Sequence, residues 1–461
     1  MLRPTRWHFR PLRRLVFQAT AVVATAAGLT VSTAETAAAQ AAASGGARVL
    51  TLFDVLDTAL AHHPVAEAAR LRVHAARGTR TTARAFGNPV LSYDVENAPF
   101  PGGDPVVGLA RETMATATLP LESIFQRGPR ARRADAELRA AEADAGSVRQ
   151  QLALDATRAY FRVALAQVGV DASRDLTSWL DSVVAYNRTR VEQGAAAEAD
   201  LIRAELERDR AAASATIQGA ELARARAHLA TFLGNATSST FDLVVAVDDT
   251  PLSMPRFAAS AGIPTGDLAR RPDVRAARER LTAAAFSVST ERSMIVRELG
   301  ATFGAKRSAG TTSMVAGLSI PFPVFDPNRG QIARAAAERD VAAFELEARE
   351  RVARADLAAA VEAARLLTDR TALLARATDG RPPFLARADE ARRIALGAYR
   401  EGAVSLLQVI DAARAWNDAR LTFYQTLYAQ HESIAMLIVA HGDDLLAELP
   451  SLGTRGRTPP R

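Results

Sequence analysis

The chain has 461 residues, of which 48% are hydrophobic but only 6% are aromatic, so its apolar side chains are mostly small and aliphatic. That composition favours closely packed helices over a thick aromatic core. The absence of cysteine excludes disulfides, cysteine-ligated metals and a thiol nucleophile. The formal charge is +6. Much of it comes from arginines near the N-terminus, so we expect no nucleic acid partner.

Residues 1–39 predict a secretory signal peptide. A basic stretch through Arg14 precedes an apolar run from Leu15 to Val31, and Ala37-Ala38-Ala39 forms a cleavage site of small residues. A transmembrane anchor is the alternative, but the run is short for a bilayer helix and is interrupted by polar residues and Gly28. The sequence therefore predicts an exported protein.

The mature sequence is a tandem duplication. Residues 62–70 align with residues 270–278 at a shift of 208, and the same shift places Gly194 on Gly402. Several such matches in order, at nearly one shift, are hard to obtain by chance. The predicted parts are a first repeat over residues 40–234, a linker over 235–264, a second repeat over 265–441 and a disordered tail over 442–461.

Each repeat begins with a helix after a proline, Pro64 or Pro272, which suits a first helical turn. Two segments that alternate apolar and polar residues follow and predict strands. Their lengths suit tilted strands of a membrane barrel. The predicted strands are residues 90–97 and 107–119 in the first repeat, and 299–306 and 312–320 in the second.

Long helices complete each repeat. The spacing of apolar residues predicts helices over 130–193 and 198–233, then over 331–401 and 406–440. Pro382-Pro383 must interrupt the third of these. In the linker, the apolar run from Phe241 to Val247 predicts a short strand.

Three motifs give this pattern a family resemblance. They are Ala-Leu-Ala-His-His-Pro at 59–64, the strand-to-helix connection at 318–330 and the hairpin end at 398–411. The sequence resembles the TolC family of outer-membrane efflux proteins, and residues 93–97 look most like its CzcC-type, heavy-metal branch. The resemblance implies a mainly α fold with a small β part, in which tandem-duplicated antiparallel helical hairpins form an α-barrel tunnel. Four β-strands per chain would contribute to a trimeric twelve-stranded transmembrane barrel, and the linker would lie at the equator of the tunnel.

The implied function is that of an outer-membrane channel subunit in a tripartite efflux system of a Gram-negative-type bacterium. A homotrimer would sit in outer-membrane lipid above a periplasmic tunnel and receive substrate from an inner-membrane pump through a periplasmic adaptor. The substrate would be heavy-metal cations, or else drugs or other small molecules. No enzyme activity, cofactor or metal site is expected. Two alternatives are an outlet for type I protein secretion and a soluble periplasmic coiled-coil adaptor or scaffold.

Two groups of site residues follow from the resemblance. The adaptor would contact the hairpin ends, formed by Arg190, Glu192, Gln193, Gly194, Tyr399, Arg400, Glu401, Gly402 and Ser405. The periplasmic entrance gate would lie at Gln408 and Asp411, where the family has two carboxylates one helical turn apart. Because the first position here is glutamine, only one charged ring is expected. Adjacent histidines on a helix point about 100° apart, so His62 and His63 are not expected to share a metal.

Overall fold

The computed structural model describes residues 49–98, 101, 110–121, 123–234, 243–246, 249–258, 268–295, 297, 299–377, 380 and 382–448. The predicted signal peptide and most of the predicted linker lie outside these residues. In the part of the chain that is described, no helix is long and apolar enough to cross a membrane.

The described chain is mainly helical. Its helices are α1 (Leu52–His62), α2 (Pro64–Arg84), α3 (Ser123–Glu192), α4 (Glu198–Leu233), α5 (Pro272–Ser293), α6 (Arg329–Ala375), α7 (Phe384–Arg400), α8 (Leu406–His441) and α9 (Leu445–Glu448). Its strands are β1 (Val49–Leu50), β2 (Val90–Glu96), β3 (Glu112–Pro120), β4 (Val244–Val245), β5 (Gly300–Ser308) and β6 (Thr311–Ser319).

Local sequence explains most helix boundaries. Pro64 and Pro272 occupy the first turns of α2 and α5, as predicted. Thr51 and Asp54 form a reciprocal capping box that starts α1, a helix that the sequence analysis missed. The longest helix, α3, starts at Ser123 rather than at 130, and Pro129 lies inside its first turns.

The predicted break in the third long helix, at Pro382-Pro383, is confirmed. Helix α6 ends at Ala375, and α7 begins at Phe384, directly after Pro383. The prediction of disorder is wrong for residues 442–448, because α9 follows α8 there and Leu445 is buried; the rest of the predicted tail lies outside the described residues.

Closely packed small residues join the long helices. At Gly146, an added Cβ would lie 3.2 Å from Cβ of Pro272, so α3 and α5 approach closely there. The main core lies where α1, α3, α4 and α8 meet the linker and also includes side chains of α6. Its largest fully buried side chains include Leu56, Val163, Leu229, Leu427, Ile434, Leu437 and Ile438.

The four long strands form one antiparallel sheet in the order β2-β3-β5-β6. The prediction of two strand pairs is therefore confirmed, with one correction. Strand β3 begins at Glu112, not at 107: residues 110–111 are not strand, and residues 107–109 lie outside the described chain. Asn97, with φ of 56°, turns the chain after Glu96. Glu112 thus pairs with the last residue of β2.

A second, two-stranded sheet joins the first described residues to the linker. Strand β1 pairs in parallel with β4, Val49 opposite Val244. The hydroxyl of Tyr160 donates to Ala246 O at 2.9 Å, and the Gln167 amide bonds both backbone groups of Val245. Strand β4 falls inside the predicted run 241–247 and is therefore held against α3.

Candidate functional site

The first predicted hairpin end has a left-handed glycine. Gly194 has φ of 69°. Its N–H donates to Val191 O at 2.9 Å, and Ala195 N–H donates to Arg190 O at 2.7 Å. This pair of bonds is a Schellman motif, which satisfies the last carbonyls of α3 and requires a residue that accepts positive φ.

The second hairpin end repeats this geometry 208 residues later. Gly402 has φ of 81°. Its N–H donates to Tyr399 O at 3.0 Å, and Ala403 N–H donates to Ala398 O at 2.8 Å. The two repeats therefore end in the same turn, with different side chains displayed on it.

The structure brings the two ends together around a small apolar core. Its buried members are Val183, Val184, Ala204, Tyr399, Leu406, Val409 and Ile410. The Tyr399 hydroxyl donates to Oδ1 of Asn187 at 2.5 Å, and Nδ2 of Asn187 donates to Val183 O at 2.9 Å. Burial raises the pKa of Tyr399, although the bond to Asn187 opposes the shift, so the phenol stays neutral. Tyr399 is only 5% exposed and offers almost no surface to a partner.

Most other predicted contact residues lie on the outside of the two ends. Glu192, Gln193, Gly194, Arg400, Glu401, Gly402 and Ser405 are exposed. Arg190 is half-buried, and its guanidinium lies 5.7 Å from the ring of Tyr186 and 5.8 Å from that of Tyr399. The same side chain donates to Ala195 O at 3.0 Å and so braces its own turn.

A groove of about 470 Å³ lies between the two ends. Its lining includes Arg190, Asp200, Arg203, Ser405, Leu406 and Leu407. The lining thus combines charges of both signs with apolar side chains, which suits a partner segment that carries both polar and apolar groups.

The predicted gate positions differ in their surroundings. Gln408 is committed to its own helix: its Oε1 accepts from Ser405 N–H at 3.2 Å, which completes a capping box at the start of α8. Asp411 is exposed, and its carboxylate lies 3.7 Å from the Arg414 guanidinium. Arg414 also pairs at 2.5 Å with Glu207 of α4, whose side chain is only 11% exposed. Glu207 and Arg414 were not predicted; Arg414 could have been found from its spacing of three residues from Asp411.

A second unpredicted contact holds α7 in place. The Arg392 guanidinium lies 4.2 Å from the ring of Trp416 on α8 and 5.8 Å from that of Trp179 on α3. Asp389 pairs with it at 2.8 Å. Arg392 therefore joins three helices through cation–π contacts that residue spacing alone does not reveal.

Among the residues described, no group of three or more histidine, aspartate and glutamate side chains is placed to hold a metal ion. His63 instead caps α2 by accepting from Val65 N–H, and its ring stacks 5.7 Å from that of Phe232.

Comparison with known proteins places this geometry in a family. The family described as "Outer membrane efflux protein" matches residues 266–443. The chain carries an outer membrane efflux domain. This efflux domain spans the second predicted repeat, and similarity to individual relatives extends well beyond it.

Two relatives and one solved structure define that similarity. Cobalt-zinc-cadmium resistance protein CzcC of Cupriavidus metallidurans is 25% identical over 382 residues, which cover 82% of this chain and 86% of the relative. Nickel-cobalt-cadmium resistance protein NccC of Alcaligenes xylosoxydans xylosoxydans is 27% identical over 316 residues, covering 66% and 70%. The outer-membrane channel OprN superposes with a TM-score of 0.69 at 24% identity, covering 86% of this chain and 90% of that structure.

These findings confirm the predicted mainly helical fold with a small β part and the similarity to outer membrane efflux proteins, whereas the trimeric twelve-stranded barrel stays a prediction. The second repeat of the chain matches the outer membrane efflux proteins, and over most of its length the chain is similar to CzcC and NccC.

Proposed function

We propose that three copies of this chain close one membrane barrel and one helical tunnel, which together form the exit duct of a tripartite efflux system. The four-stranded sheet leaves β2 and β6 as open edges. Open edges are not tolerated in a lipid bilayer because their N–H and C=O groups stay unpaired. Three copies would supply twelve strands and remove every edge.

The distribution of side chains over the sheet carries this proposal. Strand register places one set of alternating residues on each face. The first face is apolar over most of its area and includes Leu91, Tyr93, Ala115, Ala117, Leu119, Ala301, Phe303, Ala305, Met314, Ala316 and Leu318. The other face is mostly polar and includes Ser92, Asp94, Glu96, Glu112, Thr116, Thr118, Thr302, Lys306, Ser313 and Ser319.

This segregation suits a barrel wall with lipid outside and water inside. On the apolar face, Leu91 is 80% exposed and Met314 is 84% exposed in the single chain. Lipid contact would remove both side chains from water, whereas the polar face would line the channel.

The proposed substrate class is divalent metal cations. It is supported by the similarity to CzcC, a cobalt-zinc-cadmium resistance protein, over most of both chains. The duct performs no catalysis in this proposal; an inner-membrane pump supplies the energy and a periplasmic adaptor joins pump to duct. The adaptor would meet the exposed residues of the hairpin ends, and Asp411 would narrow the entrance near the trimer axis.

A deletion strain tests both the channel and its substrate. We expect the loss of this chain to cause hypersensitivity to cobalt, zinc and cadmium, and a plasmid copy to restore resistance. Blue-native electrophoresis of detergent-extracted outer membranes should show a trimer. A monomer in the soluble periplasmic fraction would contradict the channel proposal and support a scaffold. Sensitivity to dyes and detergents alone, or a defect in protein secretion, would overturn the metal substrate while leaving a channel.

A pair of charge reversals tests the hairpin ends. Arg400→Glu alters an exposed residue at the end of α7, whereas Arg387→Glu reverses the charge of an exposed arginine about three and a half turns earlier on the same helix. We expect Arg400→Glu to retain the outer-membrane trimer but to lose adaptor cross-linking and metal resistance. The control variant should keep both adaptor cross-linking and metal resistance. Resistance and cross-linking unchanged in Arg400→Glu would remove this residue from the proposed contact.

A further inference from the structure

The polar face of the sheet carries a cluster of charges at the end remote from the helices. Lys306 of β5 is ion-paired with Glu112 of β3, and its Nζ lies 3.7 Å from a carboxylate oxygen of Glu96 on β2. The Ser308 hydroxyl donates to Glu112 at 2.5 Å. Strand β5 leaves α5 and reaches the turn at residues 309–310 just after these side chains. The cluster therefore lies near the tips of the strand hairpins.

Lys306 offsets a repulsion built into the strand register. Glu96 and Glu112 are directly opposite each other across β2 and β3. Like charges in that position destabilise a strand pair. The Lys306 ammonium lies close to both carboxylates and so connects three strands. Asp94 shares the same face, so three carboxylates against one ammonium leave a net negative charge on it.

We propose that this cluster makes the barrel lumen selective for cations, and that Lys306 limits the degree of that selectivity. The proposal rests on the trimeric barrel described above, which would bring three copies of the cluster to one level of the lumen. It adds a residue that determines which ions pass, at a level far from Asp411 and the hairpin ends.

The dimensions of such a barrel make the cluster effective across the whole lumen. Twelve strands about 4.8 Å apart and tilted by about 40° give a backbone radius of roughly 12 Å. Side chains about 5 Å long leave a free radius of roughly 7 Å, which is below the Debye length of about 8 Å at 0.15 M salt. The wall charges are therefore only partly screened at the axis, and rings of carboxylates favour cations.

The neighbouring residue supplies a matched control. Arg307 follows Lys306 in β5 and so lies on the opposite face, where it pairs in register with Thr113 and Thr312. Replacing either residue by methionine removes one positive charge at the same level of the sheet. Only the change at Lys306 alters the charge of the face that would line the channel.

Reversal potentials of the purified full-length trimer in planar bilayers, under a potassium chloride gradient, measure the selectivity. We expect Lys306→Met to raise the ratio of cation to anion permeability about twofold or more. In the double variant Glu96→Gln/Glu112→Gln, the charges of Asp94 and Lys306 cancel each other. We therefore expect the ratio of cation to anion permeability of this variant to fall toward one. Arg307→Met should keep the wild-type ratio.

Acetylation of the assembled channel provides a second measurement that does not depend on folding a variant. Lys306 is the only lysine of the chain. A membrane-impermeant acetylating reagent, added after insertion, should therefore shift the wild-type reversal potential in the same direction as Lys306→Met. The Lys306→Met channel should not respond, which controls for reaction at the terminal amine.

The outcomes separate this inference from the function on which it rests. The inference about the cluster, but not the barrel, would be overturned by channels of normal conductance whose permeability ratio stays the same in Lys306→Met, in the double glutamate variant and after acetylation. A shift of the reversal potential in Arg307→Met equal to that in Lys306→Met would also overturn the inference. The effect would then not depend on which face of the sheet carries the charge. No conductance from any channel, the wild type included, would contradict the barrel itself.

Discussion

Removing the hydroxyl of Tyr399 should loosen the hairpin ends without changing their exposed surface. Tyr399→Phe keeps the ring in the apolar core but deletes the 2.5 Å bond to Asn187, which joins α7 to α3. Asn187 is fully buried. Its Oδ1 would therefore be left without the donor that now satisfies it.

A buried acceptor left unsatisfied costs about 1–3 kcal/mol. Because every 1.4 kcal/mol is a tenfold change in an equilibrium constant, local opening of the ends should become about 5- to 140-fold more frequent. The ring contact with Tyr186 at 5.9 Å and the cation–π contact with Arg190 would remain. A loss of stability at the hairpin ends in Tyr399→Phe can therefore be assigned to the hydrogen bond between Tyr399 and Asn187.

Amide hydrogen exchange of the detergent-solubilised protein, read by mass spectrometry on peptides from the ends of α3 and α7, measures such local openings. Tyr186→Phe is the control, because it deletes a hydroxyl from the adjacent ring and keeps the pair of Tyr399 with Asn187. Unchanged protection in Tyr399→Phe, or an equal loss in Tyr186→Phe, would refute the reasoning.

Three further predictions concern contacts around the second repeat and between that repeat and the linker. Gly442→Ala should lower the thermal midpoint of the helical circular dichroism signal, because φ is 99° and the added Cβ would lie 2.9 Å from Arg271 N; an unchanged midpoint would contradict this. Gln430→Leu should speed proteolysis of the linker, because it leaves the backbone N–H and C=O of Leu252 without their hydrogen-bond partner. The cost in stability is about 2 kcal/mol or more. Cleavage at the wild-type rate would contradict this prediction. Burial raises the pKa of Asp273, but its two bonds to Arg271 outweigh burial and hold that pKa below the ordinary value of an aspartate. The stabilisation is therefore present above the ordinary pKa of an aspartate and lost as the pH falls through the lower, folded-state pKa. Asp273→Asn should flatten the acid limb of an unfolding titration, and an unaltered limb would count against the pair of Asp273 with Arg271.

Local patterns were sufficient to predict much of the fold. Helix α4 has the predicted bounds, Glu198 and Leu233, since a glycine turn precedes it and Gly234 ends it. Strand positions followed from period-two alternation, which a sheet with one apolar face imposes on its sequence. One readable signal was overlooked: Ser405-Leu-Leu-Gln408 is a capping box, and it gives Gln408 a local bond that the family comparison did not anticipate.

Other features depend on contacts between residues far apart in the chain. Tyr399 was predicted as a surface contact because the family resemblance places it at a hairpin end, in the last turn of α7. Its burial arises only when the second hairpin end meets Asn187, 212 residues earlier. The pair of Glu207 with Arg414 is likewise formed between two repeats. A single sequence contains no signal that would select these partners.

The parallel pairing of β1 with β4 has a consequence for the order of folding. When Val49 meets Val244, the whole of the first repeat becomes one closed loop. Closing a flexible loop of roughly 195 residues costs about 5 kcal/mol of chain entropy. Two short strands cannot offset that cost alone. A helix α3 that has already formed reduces the entropic cost, because Tyr160 and Gln167 then offer hydrogen-bond partners to β4. We therefore expect this small sheet to assemble after the helices. The linker would then bind to a helical bundle that has already formed.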